Sequence, residues 1–290
     1  MAGHRRDFIK LALCGAAAVP VAVGNAAVTS RKDAGVLRIA HLCDPQFGFV
    51  TGNPAMKWRA AEHSGRNYAA DLSRCRKAIE LINTMAPDLL ILGGDMAHRA
   101  PDIENEWGDI LKEIRVPWMI TPGNHDMGNK VTYSNLSRFR KVFGVDRDAR
   151  DVKGWRIIAG NSQFWYPTEL KDEQKAYEAW FEQEIERAKS YGGRVILASH
   201  IPPFAATLDE KDSYDNHPRA GRRERLERYV TSGARFMLTA HRHRMAAQGY
   251  KSLSMLGAEA LCDNFDMRPP GFRIFEVAPD FSYSWNFVAV

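Results

Sequence analysis

Five short apolar segments of this chain are each followed at once by polar residues of the kinds that bind metal ions. The five groups are Asp-Pro-Gln at 44–46, Gly-Gly-Asp at 93–95, Gly-Asn-His-Asp at 123–126, Ser-His at 199–200 and Ala-His-Arg-His at 240–243. In α/β sheets, ligands bind beyond the carboxyl ends of the strands, so strands at these places would bring the five groups to one crevice. Their oxygen and imidazole donors suit Mn, Fe, Zn or Mg.

Each group by itself has an ordinary structural explanation. A Gly-Asp pair is common in turns, and Asn-His-Asp can cap a helix. The two histidines of the last group would lie on one side of a strand end, which alone is weak evidence for a metal. It is the succession of five such groups at five strand ends that predicts a metal site.

The chain between and beyond these groups alternates in its hydrophobic pattern. Short apolar segments predict strands at 36–42, 88–92, 116–121, 154–160, 194–199 and 235–240. Longer segments with helical spacing of their apolar residues predict helices at 68–85, 101–115, 133–143, 172–191 and 222–230. After Met245 the pattern predicts strands at 254–256, 272–277 and 283–290 without helices. This alternation predicts an α/β fold, and the strand-rich tail predicts a second sheet packed on the first.

Taken in order, the five groups resemble the motifs of the calcineurin-like metallophosphoesterase family, over about residues 36–290. The resemblance implies a four-layer α/β/β/α sandwich, in which two packed mixed β-sheets are flanked by helices. It also implies two divalent metal ions. In the implied centre Asp95 would bridge both ions. One ion would be completed by Asp44, Gln46 and His243, and the other by Asn124, His200 and His241.

The same resemblance implies roles for the residues next to the metal ligands. His125 would lie over the phosphate and donate to a phosphoryl oxygen or protonate the leaving group, and Asp126 would orient the His125 ring. His98 and Asn161 lie in loops after strands and are predicted to contact substrate.

Two positions depart from the family pattern. Gln46 replaces the usual histidine with a neutral amide oxygen, which is expected to loosen one metal and to favour Mn or Mg over Zn, with Mn preferred. Ala240 replaces a glycine. The strings Asp-Pro-Gln-Phe-Gly at 44–48 and Asn-Ser-Gln-Phe at 161–164 resemble a branch that includes Ser/Thr protein phosphatases, in which glutamine at this position is normal.

The predicted function is hydrolysis of phosphate monoesters, on a phosphorylated small molecule or protein, by attack of a hydroxide that bridges two metals. A phosphodiesterase for cyclic nucleotides or phospholipid head groups remains an alternative on the same site. A non-catalytic periplasmic protein that binds metal or phosphate is a third, motivated by Gln46. His125 argues against this third reading, because a pure binding protein needs no leaving-group acid.

Residues 1–30 are predicted to be an export signal, and residues 31–290 to form the phosphoesterase domain. Arg-Arg-Asp-Phe-Ile-Lys at 5–10 resembles the twin-arginine signal, and an uncharged, weakly apolar stretch follows at 11–30. Cleavage is expected after Ala26, although an uncleaved anchor stays open and would place the protein at a membrane. The predicted location is the bacterial periplasm or another exported site, reached through the twin-arginine machinery.

The charge and cysteine content exclude other classes. Of the net charge of +5, three basic residues and one acidic residue at 1–26 supply +2, and the remaining +3 is too small to predict nucleic-acid binding. The basic run at 219–228 is interleaved with glutamates and predicts a solvated helix face. Beyond the signal an odd number of cysteines, Cys43, Cys75 and Cys262, predicts buried thiols rather than a disulfide framework.

Overall fold

The computed structural model describes residues 35–49 and 68–290, apart from the side chain of Asn105. The predicted signal at 1–30, its cleavage after Ala26 and the predicted start of the domain at residue 31 lie outside the described residues. Across the described ranges, none of the helices combines the length and the apolar character that a membrane span requires.

The elements alternate along the chain much as the hydrophobic pattern predicts. The α-helices of the described part are α1 (Tyr68–Met85), α2 (Ile103–Glu113), α3 (Tyr133–Phe143), α4 (Lys171–Ala188) and α5 (Arg222–Thr231). The strands are β1 (Leu37–Leu42), β2 (Leu89–Leu92), β3 (Trp118–Ile120), β4 (Asp148–Val152), β5 (Trp155–Ala159), β6 (Val195–Ala198), β7 (Ala234–Thr239), β8 (Ala246–Tyr250), β9 (Leu253–Gly257), β10 (Gly271–Val277) and β11 (Tyr283–Ala289). Strands β4 and β8 were not predicted.

The strands form two mixed sheets. The first has the order β11-β10-β1-β2-β3, in which β1, β2 and β3 are parallel and β10 is antiparallel to both of its neighbours. The second has the order β4-β5-β6-β7-β9-β8, with four parallel strands in the middle and an antiparallel strand at each edge. These sheets and the flanking helices confirm the predicted fold class.

The strands after Met245 do not form a sheet of their own, so that part of the prediction is wrong. Strand β9 pairs with β7 and, with β8, extends the second sheet. Strand β10 pairs with β1 and, with β11, extends the first sheet. An apolar segment marks a strand but does not specify its partner.

The main core lies between the two sheets and continues beneath the helices. Successive side chains of a strand point to opposite faces. In β1, Leu37 and Ile39 therefore face the second sheet, where they share a buried cluster with Phe236. Ala40 and Leu42 point the other way, into a cluster that contains the apolar sides of the helices. Burial of both faces explains why the central strands are continuously apolar rather than alternating.

Two predictions about side-chain burial have different outcomes. The thiols of Cys43, Cys75 and Cys262 are all buried, as predicted. The solvated helix face at 219–228 is wrong for Arg222, which is buried and donates to the backbone carbonyls of Leu208, Glu210 and His217. A guanidinium carries five donors and can bind several carbonyls at once, so a charged run need not be solvated throughout.

Candidate metal centre

The loops that follow β1, β2, β3, β6 and β7 meet at one edge of the two sheets. Backbone hydrogen bonds join the first two loops, from the amide of Asp44 to the carbonyl of Gly94 (3.1 Å) and from Gln46 to Asp95 (2.9 Å). A bond of 3.1 Å from the amide of His241 to Oδ2 of Asp44 joins the second sheet to the first. The predicted convergence of strand ends is therefore present.

His200 lies at the middle of the first group of ligand atoms. Its Nε2 is 3.3 Å from Oδ2 of Asp95, 3.2 Å from Oδ1 of Asn124 and 3.2 Å from Nδ1 of His241. One ligand atom each from Asp95, His200 and His241 lie within 4.8 Å of one another, and all three residues are buried. This spacing suits a shared metal ion.

A second group of ligand atoms adjoins the first through Asp44. Its Oδ1 is 3.5 Å from Nε2 of His243 and 3.9 Å from Nε2 of His200. Gln46 is buried and lies near His243. The sulfur of Cys262 contacts both residues, at 3.7 Å from Oε1 of Gln46 and 3.5 Å from Nδ1 of His243. All seven predicted ligands thus lie at this edge of the sheets.

Backbone carbonyls orient the three histidines. His200 Nδ1 is 2.7 Å from the carbonyl of Gly93, His243 Nδ1 is 2.8 Å from that of Asp263, and His241 Nε2 is 2.8 Å from that of Tyr214. Donation of one ring N–H to a carbonyl leaves the lone pair of the other nitrogen pointing into the centre. This is the arrangement that metal-binding imidazoles use.

A buried oxygen atom tests whether metal ions fit these residues. Oδ1 of Asp44 is inaccessible to solvent and has no hydrogen-bond partner within the described residues. A buried carboxylate oxygen without a partner is unfavourable, and a cation among the surrounding oxygen and nitrogen donors would satisfy it. The donors are carboxylate, amide and imidazole groups, which suit divalent ions of the Mn, Fe, Zn and Mg group.

The backbone at the centre is strained. Five of the predicted ligands have positive φ angles: Asp44 (47°), Gln46 (36°), Asp95 (54°), His241 (71°) and His243 (47°). Residues with side chains rarely adopt this conformation, which costs about 1–3 kcal/mol each and concentrates at functional sites. The strain therefore supports a functional role for this edge of the molecule.

Two glycines of the motifs are required by close packing. Gly94 has a φ of 94°, and a Cβ there would lie 2.6 Å from Nδ1 of His200. A Cβ on Gly123 would lie 2.0 Å from Oδ1 of Asp95. Only glycine allows the backbone to approach the ligands this closely.

The charges of the centre are strongly coupled. Burial acts to lower the pKa of His200, but the carboxylates of Asp95 and Asp44 outweigh burial and raise that pKa to about 9. Burial acts to raise the pKa of Asp95, yet the histidines, His200 first, hold it well below its usual range. Burial and the neighbouring His200 lower the pKa of His241 to about 4. The carboxylates of Asp95 and Asp44 thus favour positive charge at the position of His200.

The His125 ring is oriented by a backbone carbonyl and not by Asp126. Its Nδ1 is 2.8 Å from the carbonyl of His98, and its Nε2 is 3.2 Å from the hydroxyl of Tyr214. The backbone amide of His125 donates to Oδ1 of Asp95 (2.8 Å). His125 is thus attached directly to the predicted bridging ligand.

Asp126 has a different place from the one predicted. Its carboxylate is buried and accepts from the amides of Asp95 (2.9 Å), Met96 (2.8 Å) and Gly123 (2.8 Å). Both oxygens are therefore occupied by the turns that carry Asp95 and Asn124, and the predicted contact with the His125 ring is wrong. Asp126 positions the metal-binding turns.

The two residues predicted to contact substrate, Asn161 and His98, have different outcomes. Asn161 is fully buried, donates to Asp146 (3.2 Å) and accepts from the amide of Gln163 (3.1 Å), so it caps a short 3₁₀ helix and the prediction is wrong. The ring of His98 is partly buried, with its centroid 4.9 Å from that of His125. Contact of His98 with substrate stays a prediction.

Tyr214 belongs to the site although no motif predicts it. Its hydroxyl accepts from Nδ2 of Asn124 (2.6 Å) and lies 3.2 Å from Nε2 of His125. Its ring lies 4.7 Å from that of His241. The signal available in the sequence is the long segment without apolar periodicity between β6 and α5, since loops of that length are commonly functional.

Comparison with known proteins agrees with this geometry. The family model described as Calcineurin-like phosphoesterase matches residues 37–245. Serine/threonine-protein phosphatase CPPED1 of Rattus norvegicus is 27% identical over 82% of this chain and 79% of its own length. A "Probable cyclic nucleotide phosphodiesterase" of Fibrobacter succinogenes is 31% identical over 40% of this chain and 42% of its own length. A dimetal phosphatase from Danio rerio has the same fold, with a TM-score of 0.55 and 10% sequence identity. The match covers 84% of this chain and 94% of the phosphatase chain.

Proposed function

The chain belongs to the calcineurin-like phosphoesterase family, and on that basis we propose that it hydrolyses phosphate monoesters. Membership makes it a metal-dependent phosphoesterase with a dinuclear site for divalent metals, acting on phosphorylated substrates. The observation that carries the proposal is the buried group of Asp95, His200 and His241, whose ligand atoms lie within 4.8 Å of one another directly beside His125.

The proposed ligand assignment follows the two groups of atoms. Asp95 would serve both ions, because its Oδ2 lies 3.3 Å from Nε2 of His200, which is in turn 3.9 Å from Oδ1 of Asp44 in the second group. One ion would be held by Asp44, Gln46 and His243, and the other by Asn124, His200 and His241. When bound, the two ions supply an activated water near neutral pH and positive charge against the phosphoryl oxygens. We propose Mn, because Gln46 offers an amide oxygen instead of a nitrogen.

The protein's own contribution to the reaction is centred on His125. The carbonyl of His98 fixes its Nδ1, so Nε2 is the ring nitrogen left to contact a substrate. A protonated His125 donates from Nε2 to the leaving-group oxygen and thereby lowers the barrier to its departure. Asp126 holds the turns on either side, and we propose that the His98 ring, which lies beside the His125 ring, touches the substrate.

The preference for monoesters is supported by the relative named as a serine/threonine-protein phosphatase, which is matched over 82% of this chain. The Asp-Pro-Gln motif supports placement in the same branch. The second candidate, phosphodiester hydrolysis, is supported by the match over 40% of this chain to a relative named as a cyclic nucleotide phosphodiesterase. A purely binding role is disfavoured by the position of His125 on the centre.

The test compares two chromogenic esters on the full chain, stripped of metal and reloaded with Mn²⁺. Turnover of p-nitrophenyl phosphate above that of bis-p-nitrophenyl phosphate is the expected result. The reverse preference would replace the monoesterase by a diesterase. Binding of Mn²⁺ and inorganic phosphate with turnover of neither ester would overturn the enzymatic proposal in favour of a binding protein.

We also propose export through the twin-arginine machinery to the periplasm, supported by Arg5 and Arg6 in the predicted signal. Cell fractionation of the full chain is the test, with Arg5→Lys/Arg6→Lys as the variant. Retention of the variant in the cytoplasm, with the unchanged chain in the periplasm, is expected. Equal distribution of both chains would contradict the proposal, and recovery in the membrane fraction would indicate an uncleaved anchor.

A further inference from the structure

A cleft of about 380 Å³ adjoins the metal centre and shares two of its residues, Asn124 and Tyr214. Apolar side chains line much of it, among them Val131 and Ile201, and the ring of Tyr166 adds a second aromatic wall. The cleft is thus continuous with the place where a phosphate would lie, and it offers apolar and aromatic contact to whatever is attached to that phosphate.

The charge of the cleft restricts what can enter it. Lys130 is the charged residue among those described as lining it, and the lining includes neither Asp nor Glu. A cationic group would meet the ammonium without a carboxylate to compensate for it, while an uncharged or anionic group would not be repelled.

Tyr214 stands where the cleft and the metal centre meet. Its hydroxyl contacts Asn124 and the Nε2 atom of His125, which is the atom that must reach the leaving-group oxygen. A substrate oxygen that binds to His125 therefore lies next to the Tyr214 hydroxyl. The cleft that Tyr214 and Asn124 line begins at this point.

The loop at 205–221 is built to hold Tyr214 in this place, although the residue is 60% exposed. The Glu210 carboxylate accepts from the amides of Ala205 (2.6 Å) and Thr207 (3.0 Å) and from the side chain of Asn216 (2.6 Å). The buried Arg222 binds carbonyls of the same loop. An exposed aromatic ring on so firmly bonded a loop is suited to contact a ligand.

We propose that this cleft is the leaving-group subsite and that it binds an uncharged or anionic aromatic ring carried by the alcohol portion of the ester. The inference rests on the proposed function. Tyr166 and Tyr214 present ring faces and edges to the aromatic group, and Val131 and Ile201 bury its surface. Tyr214 is a specificity-determining residue through its ring, and its hydroxyl contacts the oxygen between phosphorus and the ring.

Two phosphonates that differ only in the attached group test the subsite without turnover. Phenylphosphonate and methylphosphonate carry the same head group, and their dissociation constants are measured by calorimetry on the Mn²⁺-loaded full chain. We expect phenylphosphonate to bind about tenfold more tightly, because the cleft removes the ring from water. Equal affinities would overturn the inference.

Matched tyrosine variants assign the preference to Tyr214. Tyr133 is 61% exposed, against 60% for Tyr214, and it does not line the cleft. We expect Tyr214→Ala to bring the ratio of the two dissociation constants close to one, while Tyr133→Ala keeps the ratio of the unchanged chain. Tyr214→Phe is expected to keep the ratio too, because the ring remains. An unchanged ratio in Tyr214→Ala would contradict the proposal, and an unchanged far-UV circular dichroism spectrum shows that the variant is folded.

The two proposals fail in different ways. A chain that hydrolyses p-nitrophenyl phosphate but binds both phosphonates equally lacks the subsite and remains a phosphoesterase. A Mn²⁺-loaded chain that hydrolyses neither ester and binds neither phosphonate contradicts the proposed function, and the inference falls with it.

Discussion

The metal centre and the loop at 205–221 are in contact and line one cleft together, yet they are held in place by different means. The ligands of the centre are buried, follow apolar strands and include five residues with positive φ. The loop is largely exposed and holds its shape through its own hydrogen bonds, chiefly to Glu210 and Arg222. The centre thus depends on the core, whereas the loop depends on a few polar side chains.

This difference indicates a division of roles. The packing of both sheets maintains the strained backbone of the centre, so the geometry of the centre cannot change unless the fold changes as well. Exposed side chains of the loop can be substituted while Glu210 and Arg222 maintain the conformation of its backbone. The proposed chemistry accordingly depends on the core, and the proposed selection of substrate depends on the loop.

The largest effect is expected from the substitution Asp95→Asn, which alters the metal centre and leaves the loop unchanged. An amide in place of the shared carboxylate weakens the binding of both ions, so turnover of p-nitrophenyl phosphate should fall at least about thousandfold, while the melting temperature measured in EDTA should change little. Asp109→Asn, at an exposed aspartate of α2, is the control and should keep full activity. Retention of more than about a tenth of the turnover would contradict a bridging role for Asp95.

Removal of metal should weaken the fold next most strongly, because the ligands come from both sheets. At a metal concentration about a thousand times the dissociation constant, binding contributes about 4 kcal/mol to the free energy of unfolding. Urea unfolding with and without EDTA measures this contribution, and added Mn²⁺ should restore it. An unfolding midpoint that EDTA does not move would argue that the folded centre holds no ion.

His125→Ala separates proton transfer from metal binding within the centre. Alanine keeps the backbone amide that donates to Asp95, so the metal content per chain should not change while turnover falls about a hundredfold. The loss should be larger for phenyl phosphate than for p-nitrophenyl phosphate, because the poorer leaving group needs the proton more. Loss of metal from the variant, measured by elemental analysis, would be evidence against the assigned role.

The smallest effect is expected in the loop, from Glu210→Gln. Burial acts to raise the pKa of Glu210, but the amides of Ala205 and Thr207 outweigh burial and hold it below the ordinary value of 4.5. A lowered folded-state pKa means that the charge stabilises the fold above pH 4.5 and that this contribution is lost as the pH falls through the lower value.

We therefore expect the variant to be less stable than the unchanged chain by about 1 kcal/mol at pH 7, with the difference shrinking towards pH 3. Urea unfolding at both pH values measures it, and metal binding cancels in the comparison. Glu178→Gln, at an exposed position of α4, is the control. A difference that stays the same at both pH values would show that the carboxylate charge of Glu210 does not stabilise the loop.

Features with a strong local signal could be predicted from the sequence. Helix α3 has the predicted bounds because Thr132 caps its first turn and Gly144, with a φ of 79°, ends it. The candidate metal ligands could be expected at one edge of the sheets because each follows an apolar strand, and burial on both faces makes such strands easy to recognise. The resemblance to a family then supplied the assignment of ligands to ions.

Features without a local signal could not be predicted. Strands β4 and β8 lie at sheet edges, where backbone pairing is enough and the side chains need no apolar alternation. The place of Asp126 depends on the amides of two distant turns, which no spacing in the sequence reveals. Tyr214 reaches Asn124 across 90 positions of the chain, so only the folded loop identifies it.

The joining of Asp44 to His241 across 197 positions has a consequence for how the protein matures. Closing so long a segment is slow and entropically unfavourable, and no short piece of the chain contains enough ligands to hold an ion firmly. The ion therefore cannot template early folding steps, and it is acquired only after both sheets have docked. The metal content per chain should therefore indicate whether the tertiary structure is complete. A chain truncated before β7 should contain no metal after synthesis.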